Sequence, residues 1–260
     1  MAHRNLAGSR SLLTGASSGI GREMALQLAA AGGHVMAVAR REEKLRELPA
    51  AAQSAGSPGS IQWFAGDVTD PDVRSRAVHL AVDRFGGLDA LINNAGIGSF
   101  GRFEDADPAR LRQIFEVNFF SVVELTRLAL PELRQGNRPL VVNVGSILGY
   151  RGIPRMHEYC STKFALRGLS ESLRIELKPH GIDLLLVSPH AQEMHGSARH
   201  LRGEAARLSL CQHSCSGMGD RHLYRTNEPR IRKKFGSQQP RGVQTTDFAC
   251  KFGCKRTPPI

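Results

Sequence analysis

The chain has 260 residues, of which 41% are hydrophobic and 23% are charged, and its formal net charge is +11. This length suits one α/β domain, and the composition is that of a globular protein. No apolar stretch approaches the roughly 18 residues of a membrane-spanning helix. The first residues, MAHRNLAGSRSLL, lack the apolar core of a secretory signal. We therefore expect a protein without a membrane span, in the reducing cytoplasm.

Strand-like and helix-like segments alternate through the first 189 residues. Strands are expected near 11–14, 34–39, 61–66, 88–93, 139–145 and 182–187, and helices near 20–32, 41–55, 71–85, 108–135 and 158–178. This alternation predicts a doubly wound parallel sheet with helices on both faces. The long fourth helix should bend or end at Pro131, because proline lacks the backbone N–H that helices need.

A glycine-rich turn follows the first expected strand. Residues 12–21 read LLTGASSGIG and lead into the helical run REMALQLAAAGG. Glycines in such a turn let backbone N–H groups approach a diphosphate, and the helix N-terminus adds partial positive charge. The spacing differs from the general Gly-x-Gly-x-x-Gly fingerprint, but the strand–turn–helix context is the same. A dinucleotide site is indicated; an ordinary turn is the alternative.

The second expected strand, HVMAVA, ends at Ala39 and is followed by Arg40 and Arg41. Dinucleotide-binding folds often place an acid here against the ribose 2′-OH of NAD, whereas an arginine accommodates the 2′-phosphate of NADP. The charge therefore favours NADP over NAD, with Arg40 as the contact. The alternative is that both arginines only begin the solvated helix RREEKLREL.

Tyr159 and Lys163 lie four residues apart in an expected helix, with Ser146 thirteen residues upstream of the tyrosine. Positions i and i+4 share one helix face, so the phenol and the ammonium point the same way. An ammonium beside a phenol stabilises the phenolate and lowers its pKa from about 10, which makes the tyrosine a usable acid and base. By itself this spacing is a weak signal, because many solvated helices contain it by chance.

Six motifs occur in a fixed order: TGASSGIG, GDV at 66–68, NNAG at 93–96, Asn118 in FEVNFF, Ser146, and Tyr159-x-x-x-Lys163. In this order and spacing the chain resembles the short-chain dehydrogenase/reductase family over about residues 11–189. The resemblance implies a Rossmann-like α/β fold. It also implies an NADP(H)-dependent oxidoreductase that interconverts a carbonyl and an alcohol by hydride transfer.

The resemblance further assigns a role to each motif residue. In the catalytic set, Tyr159 would be the acid/base, Ser146 would hold the substrate oxygen, and Lys163 would bind the nicotinamide ribose and lower the pKa of the tyrosine. Asn118 would support a water that links Lys163 to solvent. The implied cofactor contacts are Gly15, Ser17, Ser18, Gly19, Ile20, Gly21, Arg40, Asp67, Val68, Asn94, Ala95, Gly96, Tyr159, Lys163 and Pro189. No metal is implied.

Substrate and assembly are less directly encoded. An apolar pocket for a lipophilic ketone or steroid-like compound is suggested by Phe100, Phe103, Leu148, Tyr150 and Ile153, although packing explains the same residues. By resemblance, the helices around Asn118 and after Tyr159 would form a homodimer or homotetramer interface. The run FALRGLSESLRIEL carries more apolar residues than one buried stripe requires, which an ordinary doubly packed core helix also explains.

The segment 190–260 departs from the family pattern. His190 stands where the family has glycine after Pro189, and the Val/Ile and Thr that would follow are missing. The segment has seven Val, Ile or Leu residues, and its 13 Lys and Arg against five acids contribute +8 of the net charge. Such a composition cannot bury a core. We expect a catalytic domain at 1–189 and a poorly ordered basic tail arising from a frameshift, an alternative exon or a sequencing error. A diverged tail that binds acidic partners is the alternative.

Two binding functions of this tail are disfavoured. Cys211, His213, Cys215, Cys250 and Cys254 could supply zinc ligands, but the pairs are far apart and their spacing is marginal, which favours free thiols. The basic charge has no accompanying aromatic platform, so nucleic acid is not expected as a partner. Because the family reads its substrate with the part that is anomalous here, the competing function is a catalytically impaired cofactor-binding or scaffold protein.

Overall fold

The computed structural model describes residues 5–189, and the structural statements below concern that part of the chain. Its strands are β1 (Arg10–Thr14), β2 (His34–Ala39), β3 (Ser60–Ala65), β4 (Ala90–Asn93), β5 (Leu140–Val144) and β6 (Asp183–Val187). Its α-helices are α1 (Gly19–Ala30), α2 (Glu42–Ser54), α3 (Pro71–Phe85), α4 (Pro108–Phe115), α5 (Ser121–Leu133) and α6 (His157–Leu177).

The six strands form one parallel sheet in the order β3-β2-β1-β4-β5-β6. The order turns back at β1, because β2 and β3 extend to one side and β4 to β6 to the other. In open sheets of this kind, ligands bind beyond the carboxyl ends of the strands at this switch point. The predicted Rossmann-like, doubly wound α/β fold is confirmed.

Alternating strand residues build a core on each face of the sheet, as the two-residue period of a strand requires. One face packs against α3 and α5, and its strand residues include Leu12, Met36, Val38, Leu91 and Val141. The other face packs against α1 and α2, and its strand residues include Leu13, Val35, Ala37, Ile92 and Val142. Because both faces are covered, the strands are almost continuously apolar.

The expected helix at 108–135 is interrupted before its proline. Between α4 and α5 the chain forms a π-helical turn, Glu116–Phe120, that contains Asn118. π-Turns inside helices are rare and often occur at functional sites. Pro131 lies inside α5, which ends two residues later at Leu133. The expectation of an end near Pro131 is met, whereas the earlier break has no proline or glycine to announce it.

Asp-Pro pairs begin two of the helices. The Asp70 carboxylate accepts a hydrogen bond from the Asp72 N–H at 2.8 Å at the start of α3, and Asp107 accepts one from the Ala109 N–H at 2.8 Å at the start of α4. A carboxylate at this position satisfies an otherwise unpaired donor, and proline fits the first helical residue. These caps fix where the loops after β3 and β4 end.

Two further expectations concern the tail and membrane-spanning helices. The domain boundary at 189 and the tail at 190–260, including its cysteines and histidines, lie outside the described residues and stay predictions. Across residues 5–189, no helix combines the length and apolar character needed to cross a membrane.

An ion pair joins β1 to β4 at the amino edge of the sheet. Arg10 Nε and Nη2 donate to the Asp89 carboxylate at 2.9 and 2.7 Å, and the Arg10 backbone N–H donates to it at 2.9 Å. The Asn137 N–H adds a bond of 2.7 Å. Burial alone would raise the pKa of Asp89, but these donors outweigh it, so the pKa lies below its ordinary value.

We expect Asp89→Asn to lower the free energy of unfolding by about 2–4 kcal/mol, because it leaves Arg10 without its carboxylate. Since the folded-state pKa of Asp89 is lowered, its contribution is present at neutral pH and is lost as the pH falls below about 4. Urea unfolding at pH 7 and at low pH measures both effects.

The control is Asp105→Asn, because Asp105 is exposed and lies 3.9 Å from Arg102. Exposed ion pairs contribute about 0–1 kcal/mol, so this variant should unfold like the parent. Equal stability of the Asp89 and Asp105 variants at pH 7 would show that the Arg10–Asp89 pair does not stabilise the sheet.

Candidate active site

The glycine-rich turn after β1 lies against the loop after β4. Gly15 has a φ of +70°, and a methyl group there would lie 2.8 Å from both Ala95 Cα and Asn94 Nδ2. Any larger residue would therefore separate the two loops as well as strain the backbone. Glycine at position 15 allows this close approach at the switch point of the sheet.

Hydrogen bonds join the same two loops. Thr14 Oγ1 accepts from the backbone N–H groups of Asn94 and Ala95, both at 3.0 Å. In return, Asn94 Nδ2 donates to the backbone oxygens of Thr14 at 3.0 Å and of Gly15 at 3.2 Å. Asn94 and Ala95 were predicted as cofactor contacts. Thr14 was missed, because a threonine at the end of an apolar strand looks like any other strand residue.

The N-terminus of α1 faces the switch point without a capping side chain. Gly19, with a φ of +54°, begins the helix, and the preceding Ser18 makes no side-chain hydrogen bond to it. The first turn, which contains Ile20 and Gly21, carries no acidic residue. Free N–H groups and a positive helix end fit an anion such as a diphosphate.

The two arginines after β2 differ in their contacts. Arg41 Nη2 donates to Ser17 Oγ at 2.9 Å and to Ser18 Oγ at 2.5 Å, so Arg41 closes over the glycine-rich turn. Arg40 is largely exposed and lies 3.8 Å from the carboxylate of Asp67. Only Arg40 is a predicted cofactor contact, whereas the structure shows that Arg41 contacts the predicted diphosphate turn directly.

Asp67 and Val68, two of the predicted cofactor contacts, follow shortly after the end of β3. Asp67 Oδ1 accepts from the backbone N–H and the hydroxyl of Thr69 at 3.0 and 2.9 Å, which leaves Oδ2 facing Arg40. Val68 is buried in the core that packs on α3. The loop is thus preorganised by its own side chains.

A chain of buried amides and hydroxyls holds α6 against β5. Asn93 and Asn143 are paired residues of β4 and β5, and Asn93 Nδ2 donates to Asn143 Oδ1 at 2.9 Å. Asn143 Nδ2 donates to Ser170 Oγ of α6 at 2.9 Å. At the other end, Asn93 Nδ2 donates to Thr126 Oγ1 of α5 at 3.1 Å. The strand ends and both helices are therefore fixed relative to one another.

Ser146, Tyr159 and Lys163 come together where β5 ends. Lys163 Nζ donates to the backbone oxygen of Val144, the last residue of β5, at 2.9 Å, and lies 5.6 Å from the centre of the Tyr159 ring. Ser146 follows two residues after that strand, and its Oγ accepts from the Leu148 N–H at 3.1 Å. All three side chains are at least nine-tenths buried. The predicted catalytic set is thus assembled by one strand end and the start of α6.

The electrostatics of this set differ from the expectation. Burial raises the pKa of Tyr159 above its ordinary value, and the neighbouring Ser146 hydroxyl only partly offsets this. Burial also lowers the pKa of Lys163 to about 8. The Lys163 ammonium donates to the Val144 carbonyl and lies 5.6 Å from the centre of the phenol ring. The phenol therefore stays protonated at neutral pH.

Asn118 lies beside Lys163 but uses its side chain elsewhere. Its Oδ1 accepts from the Ile97 N–H at 2.8 Å, and its Nδ2 donates to the Ile97 oxygen at 2.9 Å and to Thr162 Oγ1 at 3.1 Å. A methyl group on Gly96 would lie 3.3 Å from Asn118 Oδ1 and 3.8 Å from Lys163 Nζ. Asn118 thus ties the loop after β4 to α6 at the lysine.

The predicted substrate side is open within the described residues. Phe100, Phe103, Tyr150 and Ile153 are exposed, at 68%, 79%, 53% and 37%. Leu148 is half-buried in the turn that follows Ser146. Pro189, the last described residue, lies just beyond the end of β6 and is half-buried. Ile153 lines an open cavity of about 450 Å³ whose other lining residues are Gly152, Pro154, His157, Cys160, Ser161 and Phe164.

Comparison with known proteins now identifies the family. A family model described as short chain dehydrogenase matches residues 10–199. The chain belongs to the short-chain dehydrogenase family. This confirms the resemblance over the segment in which all the predicted motifs occur, including the glycine-rich turn and the Tyr-x-x-x-Lys pair.

Individual relatives agree with this assignment. The chain is 40% identical over 178 residues to YusZ, an uncharacterized oxidoreductase of Bacillus subtilis. This match covers 68% of this chain and 63% of the relative. It is 40% identical over 186 residues to 11-beta-hydroxysteroid dehydrogenase 1A of Arabidopsis thaliana, covering 71% of this chain and 52% of the relative. The chain thus spans about half to two thirds of the length of these two relatives.

A solved relative shows the same fold. The crystal structure of a short-chain dehydrogenase from Streptomyces avermitilis superposes with a TM-score of 0.65 at 39% sequence identity. The match covers 70% of this chain and 66% of that chain. The doubly wound sheet described above is therefore the short-chain dehydrogenase fold.

Proposed function

We propose that this short-chain dehydrogenase is an NADP(H)-dependent oxidoreductase that interconverts a carbonyl and an alcohol. The observation that carries the proposal is the assembly of Ser146, Tyr159 and Lys163 at the end of β5, beside the glycine-rich turn that fits a diphosphate. The site therefore combines a proton donor, a second hydroxyl and a buried cation at the place where parallel sheets of this type bind nucleotides.

In this proposal the chain binds the cofactor, orients the substrate and protonates the substrate oxygen. The nicotinamide, when bound, supplies the hydride, and the protein supplies placement and a proton. The turn at Gly15–Gly19 and the N-terminus of α1 hold the diphosphate, with Asn94 to Gly96 beside them. Lys163 holds the nicotinamide ribose. Ser146 donates to the substrate oxygen, where negative charge develops during reduction.

Tyr159 is the proposed acid in reduction and the base in oxidation. Because burial raises the pKa of the phenol, the protonated form is ready to donate at neutral pH. Oxidation needs the phenolate and so should be favoured by a higher pH. Asn118 positions the lysine side of this pair by joining the loop after β4 to Thr162.

The preference for NADP rests on two arginines and the absence of an acid. Ala39 stands at the end of β2, where NAD-binding folds often carry a carboxylate. Arg41 closes over Ser17 and Ser18, and Arg40 is free to turn from Asp67 because it is 63% exposed. Two guanidinium groups within one loop favour a ligand with an additional phosphate.

The proposed substrate is a lipophilic ketone or the corresponding alcohol, including steroid-like compounds. Exposed Phe100, Phe103, Tyr150 and Ile153 offer apolar surface beside the site. Several similar proteins, from Arabidopsis thaliana and other plants, are named 11-beta-hydroxysteroid dehydrogenases.

We also propose a cytoplasmic homodimer or homotetramer, since Phe120 and Phe164 remain 48% and 45% exposed on the π-turn and α6.

A cofactor-binding protein without turnover is the second candidate. It is favoured by the sequence after Pro189, in which His190 and the residues that follow lack the family's Gly, Val/Ile and Thr. In this case the catalytic set would be present but the substrate would not be enclosed. We propose that the domain boundary lies near residue 189 in either case.

We expect Tyr159→Phe to reduce ketone turnover by about 10²–10⁴-fold, because it removes the proton donor and keeps the ring. Binding of NADPH should persist, since the ring still fills the same buried position. The measurements are steady-state reduction of a panel of lipophilic ketones and nicotinamide fluorescence. Undiminished turnover in the variant would contradict the assignment, and NADPH binding without turnover in the parent would favour the second candidate.

We expect Arg41→Ala to weaken NADPH binding about ten- to a hundredfold more than NADH binding, because it removes one charge-assisted contact to the additional phosphate. The control is Arg46→Ala, since Arg46 pairs with Glu42 on the exposed face of α2. Fluorescence titration of both cofactors gives the four dissociation constants. Equal affinity of the parent for NADPH and NADH would refute the preference.

A further inference from the structure

The loop between β4 and α4, residues 97–107, packs against the start of α6 and the residues before it. The Gly101 N–H donates to the Arg155 oxygen at 2.9 Å. The Phe103 ring meets His157 edge-on, with 5.2 Å between ring centres. This loop borders the proposed substrate side, so its position relative to Tyr159 shapes the site.

Behind these exposed contacts lies a buried ion pair. Glu158 precedes Tyr159 and is only 1% exposed. Arg110, in the first turn of α4, directs its Nε at both oxygens of the Glu158 carboxylate, at 3.2 and 3.0 Å. The buried Ser99 hydroxyl of the 97–107 loop lies near this carboxylate but makes no hydrogen bond to it. Arg110, at the start of α4, therefore supplies the side-chain donor of Glu158 just after the 97–107 loop ends.

Burying a carboxylate beside an arginine is not an efficient way to stabilise a fold. Desolvation opposes the attraction, and a well-packed apolar pair is often as stable or more so. What a paired charge does provide is a fixed geometry, because moving either partner leaves a charge unpaired in a dry place. Here that geometry connects the substrate side of the site to the residue before the proposed acid.

We propose that Glu158 is a positioning residue for the reaction: its pairing with Arg110 holds the 97–107 loop and α4 at the first turn of α6, and so sets the phenol of Tyr159 relative to the bound substrate. This inference rests on the proposed function. It assigns Glu158 no contact with substrate or cofactor, since its carboxylate is occupied by Arg110.

The chain offers a matched pair for comparison. Arg10 and Asp89 form a second contact between a partly exposed arginine and a buried carboxylate, but at the amino edge of the sheet, away from Tyr159. If Glu158 only stabilises the fold, its loss should resemble the loss of Asp89. If it positions the acid, its loss should also change the chemistry.

The test compares Glu158→Gln with Asp89→Asn in the full chain. Both variants should melt at a lower temperature than the parent. Only Glu158→Gln should lower kcat, which is normalised to the concentration of NADPH-binding sites. The expected decrease is about ten- to a hundredfold, because small misplacements of a reacting group have effects of this size. The dissociation constant of NADPH should not change in either variant. An unchanged kcat in Glu158→Gln, with reduced melting temperature alone, would overturn the proposal.

Arg110→Lys is a second variant that tests the proposal if Glu158→Gln does not fold. It keeps a cation beside the buried carboxylate but removes the planar donor that reaches both oxygens. We expect its kcat to fall between those of the parent and Glu158→Gln. Equal kcat in the parent and Arg110→Lys, when Glu158→Gln cannot be purified, would also overturn the proposal.

Hydrogen exchange separates this inference from the proposed function. Glu158→Gln should increase amide exchange in the 97–107 loop and in the first turns of α4 and α6, and Asp89→Asn should not. If the parent reduces no ketone, the proposed function fails while the exchange result still decides whether Glu158 holds the loop. Unaltered exchange in that loop would show that it does not.

Discussion

A continuous line of buried hydrogen bonds runs across the sheet from α5 to α6, through Thr126, Asn93, Asn143 and Ser170. Each of these polar groups is removed from water, so each needs its partner. Asn93 and Asn143 occupy paired positions on neighbouring strands. Asn93 is the last residue of β4, and Asn143 lies one residue before the end of β5. The line therefore fixes the rotation and height of α6 on the sheet. The position of every side chain that α6 presents to the site follows from that constraint.

What α6 presents is a buried phenol and a buried ammonium that are near each other but not paired. The ammonium of Lys163 binds the Val144 oxygen, and its pKa falls to about 8 because burial disfavours the charge. The same burial raises the pKa of Tyr159. A site built this way holds its proton at neutral pH, which suits donation to a carbonyl oxygen.

The sequence predicted the strands, most helix ends and the convergence of the catalytic set, because period, glycine turns and motif order are local signals. It did not predict the π-turn around Asn118, which depends on how α4 and α5 pack and has no residue signature. It selected Arg40 over Arg41 because residue spacing does not say which of two adjacent side chains turns toward Ser17. Glu158 is likewise not a predicted site residue, since a glutamate at the start of a helix is usually solvated. Only the structure shows its ion pair with Arg110.

The proposed function requires hydride transfer from the cofactor to a carbonyl carbon at the carboxyl edge around β5. It is tested most directly with NADPH deuterated at C4 of the nicotinamide, in each of its two stereoisomers, and a lipophilic ketone. Mass spectrometry of the alcohol product should show one deuterium on the carbinol carbon from one stereoisomer and none from the other. Alcohol without deuterium from either stereoisomer, or deuterium from both equally, would contradict transfer from a cofactor held in one orientation by this site.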